Sequence, residues 1–197
     1  MNLAVFDLDH TLLNGDSDYL WGQFLVAHDL VDREYYAREN QRFYDQYAAG
    51  TLDIHEFAAF SLKPLTVHPL AHMEAIRARF VAECIAPIVS RDAPALLERH
   101  RRQGDELLIT TATNRFIVEP IAEHLGVSHL LATEPERDGD RFTGRIRLSN
   151  FRDDKVVNLK AWLATHPVRF ERLYGYSDSR NDLPLLEFTD VPHAVDA

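Results

Sequence analysis

Leu3-Ala4-Val5-Phe6-Asp7-Leu8-Asp9-His10-Thr11-Leu12 is the stretch on which the fold turns. Its first four residues are apolar without alternation, the texture of a short strand buried on both faces of a parallel sheet. The run then breaks into aspartates, a histidine and a threonine. In an open α/β sheet such groups belong beyond the carboxyl end of the strand, where ligands bind. The reading starts a parallel sheet at the first residues and sets Asp7 and Asp9 at its working edge.

Working outward, the next eighty residues contain no β-branched strand-like runs. Leu20, Trp21, Phe24 and Leu25 fall at helical spacing, as do Tyr36, Phe43, Tyr44 and Tyr47. Gly50 is placed to end that second helix, Asp53 with Glu56 imitates a capping box for a third, Pro64 interrupts, and a fourth helix is expected from Leu70 to Cys84. From Asp92, an expected helix cap, helix and strand alternate. Strands are expected over Glu106–Thr111, near Leu130, over Arg172–Tyr176 and over Val191–Val195. Helices are expected after Asn114, over Asp153–Leu163 and over Asn181–Glu187, with a hairpin around Asp138-Gly139. The fold class expected is α/β: a Rossmann-like, doubly wound, mainly parallel sheet with an inserted all-helical cap. Residues 1–15 and 91–197 make the core and 16–90 the cap.

Composition narrows the function. The 197 residues hold 31 acidic against 21 basic side chains, a net charge of −10, which repels nucleic acid and anionic membranes. The densest basic cluster, Arg99, Arg101 and Arg102, is interleaved with Glu98, Asp105 and Glu106. No apolar run approaches the ~20 residues of a membrane span. Cys84 is the sole cysteine, so no disulfide joins the chain to itself. No charged and then apolar leader opens the sequence, and the expectation is a cytoplasmic protein, monomer or homodimer.

Three strand ends finish in polar residues that can meet at one edge: Asp7–Thr11, Thr110–Asn114 and Ser177–Asp182. Carboxylates crowded there need a positive partner, and a hard divalent cation such as Mg²⁺ suits a few carboxylates with a phosphate. Taken singly, these residues have plainer readings. Asp7 and Asp9 can be strand-end caps, Thr111 a core residue whose role Thr110 or Thr113 takes, Lys155 a solvated helix lysine, and Asp182 a helix-start acid. Asn114 is a helix cap first and a substrate contact second. His68 and His72 lack further zinc ligands. The aromatic group Tyr35, Tyr36, Phe43, Tyr44 and Tyr47 reads as cap core.

Together, DLDHTL (Asp7–Leu12), Thr111, Lys155 and GYSDSRNDLPLL (Gly175–Leu186) resemble the four motifs of the haloacid dehalogenase superfamily. They come in the family's order, 104, 44, 23 and 4 residues apart from Asp7 through Thr111, Lys155 and Asp178 to Asp182. The helical insert is similar to the cap of the phosphoserine-phosphatase-like branch, subfamily I-B. The resemblance implies a Mg²⁺-dependent phosphomonoesterase acting on a small phosphorylated metabolite through an aspartyl-phosphate. It implies Asp7 as nucleophile, Asp9 as acid and base, and Lys155 as the neutralising cation. Thr111 and Ala112, with nearby backbone N–H groups, hold phosphate. Asp7, Asp9 and Asp178 hold the metal, with Asp182 binding through water or orienting Lys155.

The match departs from phosphoserine phosphatases in detail. Asp16 occupies their acidic position after the first motif, whereas Ala59 falls where their cap arginine is expected, leaving Lys63 and Arg77 as other cap cations. Thr111-Ala112-Thr113 replaces serine followed by glycines, and relatives usually continue beyond the last strand, where this sequence ends at Asp196-Ala197. Asp16 without an arginine favours a substrate bearing an amine or hydroxyls over one bearing a carboxylate, and an amino-alcohol phosphate such as histidinol phosphate is one candidate. Phosphoserine phosphatase proper or histidinol-phosphate phosphatase, another phosphotransfer reaction of the superfamily and, last, a non-catalytic binding module are the alternatives.

Overall fold

The computed structural model describes residues 1–195. Strand β1 (Leu3–Phe6) is wholly buried and pairs in parallel on both sides, with β2 (Glu106–Asn114) and with β5 (Leu173–Ser177). Alternation along β1 divides the core. Ala4 and Phe6 face one layer with Leu107 and Ile109, while Leu3 and Val5 face another with Leu108, Leu159 and Leu185.

Helices α6 (Ala93–Arg102) and α7 (Arg115–His124) cover the first face. Helices α8 (Asp153–Thr165) and α9 (Leu183–Phe188) cover the second. The sheet order is β4-β3-β2-β1-β5-β6, with β3 (His129–Asp138) and β6 (Val191–Ala194) parallel to their neighbours and β4 (Arg141–Leu148) antiparallel to β3. Successive strands run to one side of β1 and later ones to the other, which makes β1 the point where a crevice opens at the strands' carboxyl ends.

Between β1 and α6 lie five helices: α1 (Ser17–Ala27), α2 (Arg33–Ala49), α3 (Ile54–Ser61), α4 (Lys63–Val67) and α5 (Leu70–Phe80). Asp16, Asp32 and Asp53 cap the first three through side-chain bonds to backbone N–H groups, and Gly50, at φ 72°, terminates α2 in the left-handed region. The insert leaves and returns through paired backbone: Asn14 N–H donates to Ile88 O (2.7 Å) and Ser90 N–H to Leu12 O (2.9 Å). None of the described helices is long and apolar enough to cross a membrane.

Some boundaries differ from the sequence reading. The fourth long helix stops at Phe80 and passes through one π-helical turn, Val81–Ile85, before Pro87. Asp92 stands at the start of α6 but makes no side-chain cap bond. β2 and β3 run several residues past the expected strands because their ends are paired with each other and with β4.

Candidate active site

The turn after β1 sets the first carboxylates. Leu8 O accepts the N–H groups of Leu12 (2.9 Å) and Leu13 (3.0 Å), and His10 takes a left-handed φ of 56°, uncommon for a residue with a Cβ. This tight loop keeps Asp7 in line with the strand and turns Asp9 toward the insert. Asp9 is held there by Ser17 N–H on Oδ1 (2.7 Å) and Thr113 Oγ1 on Oδ2 (3.0 Å).

Lys155, in the first turn of α8, reaches Asp7 Oδ1 at 2.8 Å and Asp182 Oδ2 at 2.6 Å, all three buried. Ser177 Oγ also donates to Asp182 Oδ2 (2.8 Å). Asp182 thus orients the lysine, while Asp7 Oδ2 faces Thr11 Oγ1 at 3.4 Å. Thr11 Oγ1 donates to Asp178 Oδ1 (3.0 Å), bringing Asp178 beside Asp7.

The cleft between sheet edge and insert holds about 580 Å³, part of it open to solvent. Asp7, Asp9, Thr111, Ala112 and Thr113 line it from the sheet, and Asp16, Asp18, Tyr19, Tyr44, Tyr47 and Phe57 line it from the insert. Burial raises the Asp7 carboxyl well above its ordinary value, the Lys155 ammonium working against it and Asp182 with it. Burial likewise pushes Asp9 up to about 6, aided by the charge of Asp16. Asp16 is raised by burial, and Asp18 is raised well above the usual range by burial and the charges of Asp16 and Asp9. For Lys155 burial lowers the pKa, but the charges of Asp182 and Asp7 win and raise it. One ammonium therefore faces a surplus of carboxylates. The carboxylates of Asp7 and Asp178, linked through Thr11, are oxygen donors of the kind Mg²⁺ takes, and their chemistry fits that ion.

Several expectations need correction. Asn114 Oδ1 caps α7 by accepting Ile117 N–H (3.3 Å), and the residue lines a small cavity that adjoins the cleft at Asp18, Phe57 and Ala112. Ala59 is exposed on the outer face of α3, among Glu56 and Lys63, and Phe57 lines the cleft instead, because one turn of helix carries both faces. Lys63 stands on that outer face, and Arg77 donates to Phe116 O (2.7 Å) under the ring of Phe116. The aromatic group divides: Tyr36 and Phe43 pack with Phe60, Tyr35 is exposed, and Tyr44 and Tyr47 line the cleft. Sequence reasoning missed Ser17 and Asp18, which no motif marks, whereas Thr11 and Thr113 lie within the polar strand ends and Thr113 stands there as an alternative to Thr111.

The family model described as haloacid dehalogenase-like hydrolase matches residues 4–187. A histidinol-phosphatase of Neisseria meningitidis serogroup C is 38% identical over 199 residues, covering 98% of this chain and 90% of that protein. A crystal structure of a protein of unknown function from Bordetella pertussis Tohama I superposes with a TM-score of 0.91 at 40% identity, covering 98% of this chain and 89% of that one. A phosphoserine phosphatase carrying a phospho-aspartyl intermediate analogue shares the fold, with a TM-score of 0.69 at 17% identity and coverage of 98% and 85%. With the motif residues converging at the edge where the family model matches, the chain belongs to the haloacid dehalogenase-like hydrolases and is a phosphatase.

Proposed function

We propose that the protein is a Mg²⁺-dependent hydrolase of a small phosphomonoester, working through an aspartyl-phosphate on Asp7, and that its substrate carries a cationic amine, with histidinol phosphate foremost. Asp7 Oδ1 is occupied by Lys155, which leaves Oδ2 to attack phosphorus. The bond to the leaving alkoxide breaks as Asp9 delivers a proton to it. Asp9 then takes a proton from the water that cleaves the acyl phosphate, releasing inorganic phosphate and restoring Asp7. A carboxyl near pH 6, fixed by Ser17 and Thr113, suits both halves of that exchange. Thr111 and the backbone N–H groups after it would hold the phosphate oxygens, and Lys155 would offset their charge. Asp7, Asp178 and the Asp9 carbonyl would hold Mg²⁺, which neutralises charge on the transferring group.

The observation that carries the substrate reading is the acidic wall of the insert. Asp16 and Asp18 line the cleft beside Tyr19, Tyr44 and Tyr47, and no arginine or lysine of the insert lines it. Asp18 Oδ1 is buried without a hydrogen-bond partner, the state of a group whose partner is a ligand. Aromatic faces and carboxylates together recognise a cation and repel a substrate carboxylate. The histidinol-phosphatase relative supports the same choice.

Residues 16–90 act in this reading as a mobile cap on a core of 1–15 and 91–197. The cap closes over the phosphate and excludes bulk water. The paired passages at Leu13 and Val89 are the natural pivots. The reading includes a cytoplasmic setting, which the lone Cys84 supports.

Phosphate release from histidinol phosphate, phosphoethanolamine and phosphoserine, each with Mg²⁺, tests the proposal. Histidinol phosphate is expected to exceed phosphoserine in kcat/KM by roughly tenfold to a hundredfold, the worth of one charge-assisted contact at about 1.5–3 kcal/mol. A preference for phosphoserine overturns the substrate reading. Turnover that survives both EDTA and Asp7→Asn overturns the mechanism.

A further inference from the structure

The opposite end of the sheet carries a second cluster. Glu106 is the first residue of β2 and His129 the first of β3. The parallel register sets His129 level with Leu108, so both side chains leave the sheet on the face that α8 covers. α8 ends there, and its C-terminal neighbour His166 closes the group. Glu106 Oε2 lies 3.1 Å from His129 Nε2 and 3.3 Å from His166 Nε2, and one ligand atom from each residue falls within 4.8 Å of the others.

We infer that Glu106, His129 and His166 form a binding site for a divalent transition-metal ion, Zn²⁺ foremost, separate from the phosphatase centre. The first support is a buried orphan. Glu106 Oε2 is removed from solvent and has no hydrogen-bond partner, although two ring nitrogens stand within 3.3 Å. The oxygen is therefore off the line that either ring N–H would take in a hydrogen bond. A zinc ion at about 2.0–2.2 Å from nitrogen and oxygen places those atoms about 3 Å apart, with the oxygen well off the ring nitrogen's axis. A shared ion thus accounts for both the short distances and the missing alignment.

The second support is the shell around the cluster. Trp162 stacks on His166 at 4.2 Å and meets His129 edge-on at 5.1 Å, and Phe170 stacks on His166 at 5.2 Å. Stacking sets the plane of the His166 ring and leaves it free to turn within that plane, and the side chains are 12–32% exposed, which gives water access as a further ligand. Two imidazoles and one carboxylate favour borderline ions over the Mg²⁺ suited to an all-oxygen set. Binding requires the ring proton of His166 on Nδ1, so the 3.3 Å contact from Val168 N–H must open by a small ring rotation.

The site lies about 16 Å down β2 from Thr111, five residues at the strand rise. Its role follows from α8. That helix carries Lys155 in its first turn and His166 just past its last, so an ion here ties the far end of the lysine's helix to two strands. It is a structural clamp and takes no part in the phosphoryl chemistry.

Zinc alone is the probe. The metal-stripped protein and a His129→Gln, His166→Gln double variant are titrated calorimetrically with Zn²⁺, and their thermal unfolding is followed with and without it. The native chain is expected to bind one equivalent more than the double variant, and Zn²⁺ is expected to raise its melting temperature further. Co²⁺ bound to the native chain is expected to show the stronger visible absorption of nitrogen-containing, low-coordinate sites, and an Asp178→Asn variant to keep it. Equal stoichiometry in native and double variant overturns the inference, as does Co²⁺ absorption that Asp178→Asn removes. Should the double variant not fold, Glu106→Gln alone is titrated against the same criterion of one lost equivalent. Phosphatase activity enters none of these readouts, so failure here leaves the proposed reaction standing.

Discussion

Lys155 and Asp18 are opposite cases of a buried charge. Lys155 is almost wholly enclosed between Asp7 and Asp182, each at hydrogen-bond distance. Truncating it leaves two enclosed carboxylates without their cation, and Lys155→Met is expected to cost about 3–5 kcal/mol in urea unfolding as well as activity. Asp18 has a buried oxygen with no partner at all. Asp18→Asn removes that burden and is expected to raise stability by about 1–3 kcal/mol while lowering kcat/KM for a cationic substrate. If the variant instead keeps full kcat/KM toward histidinol phosphate, Asp18 is not a substrate contact.

The elements owe their positions to close approaches that allow little substitution. α1 and α2 meet where Asn40 lies against Gly22; a Cβ there would stand 2.4 Å from Asn40 Oδ1. Asn40 cannot simply swing away, because its Nδ2 donates to Tyr19 O (2.8 Å), and Tyr19 lines the cleft. Gly22→Ala is expected to lower stability by about 1–3 kcal/mol and to raise KM more than it lowers kcat, since it displaces the wall and not the nucleophile. On the core side Asn150 performs a similar service before α8. Its Nδ2 donates toward Thr110 Oγ1, Thr111 O and Leu131 O, tying the loop that launches Lys155 to the strands that carry Thr111.

For the whole molecule the acidic cleft sets a pH dependence. Burial raises Asp9, Asp16 and Asp18, so the folded protein binds these protons more tightly than the unfolded chain. Stability from such groups is fully present below their ordinary value of 3.8 and is lost as pH rises through the folded values, about 6 for Asp9. Carboxylates held low elsewhere act in the other direction. At Asp105, burial pushes up but hydrogen bonds from His100 and Asn2 prevail. The test is therefore a difference. The stability advantage of Asp18→Asn over the native chain, without metal, is expected to grow from pH ~4 to pH ~7. An advantage that is flat or shrinks would mean that Asp18 is not protonated in the folded state at low pH. Mg²⁺ is expected to narrow the gap by supplying positive charge to the same cleft.

What the sequence by itself determined was local chemistry with a period. The unbroken apolar run Leu3–Phe6, short and followed at once by polar residues, reads as an interior strand, and the capping aspartates and Gly50 mark helix ends whose bonds reach no more than a few residues. The strand ends carry the polar residues that meet in the cleft, because the parallel sheet aligns carboxyl ends whatever the intervening length. Tertiary structure alone decided which side of each helix faces that cleft. Phe57 and Ala59 share one helix, as Tyr36 and Tyr44 share another, and only the packing of α1, α2 and α3 turns Phe57 and Tyr44 to the cleft. It likewise decided that Asp18 Oδ1 is buried without a partner and that Glu106, His129 and His166 share a corner. Those relations join residues tens of positions apart, and chain spacing holds no record of them until β2, β3 and α8 are laid side by side.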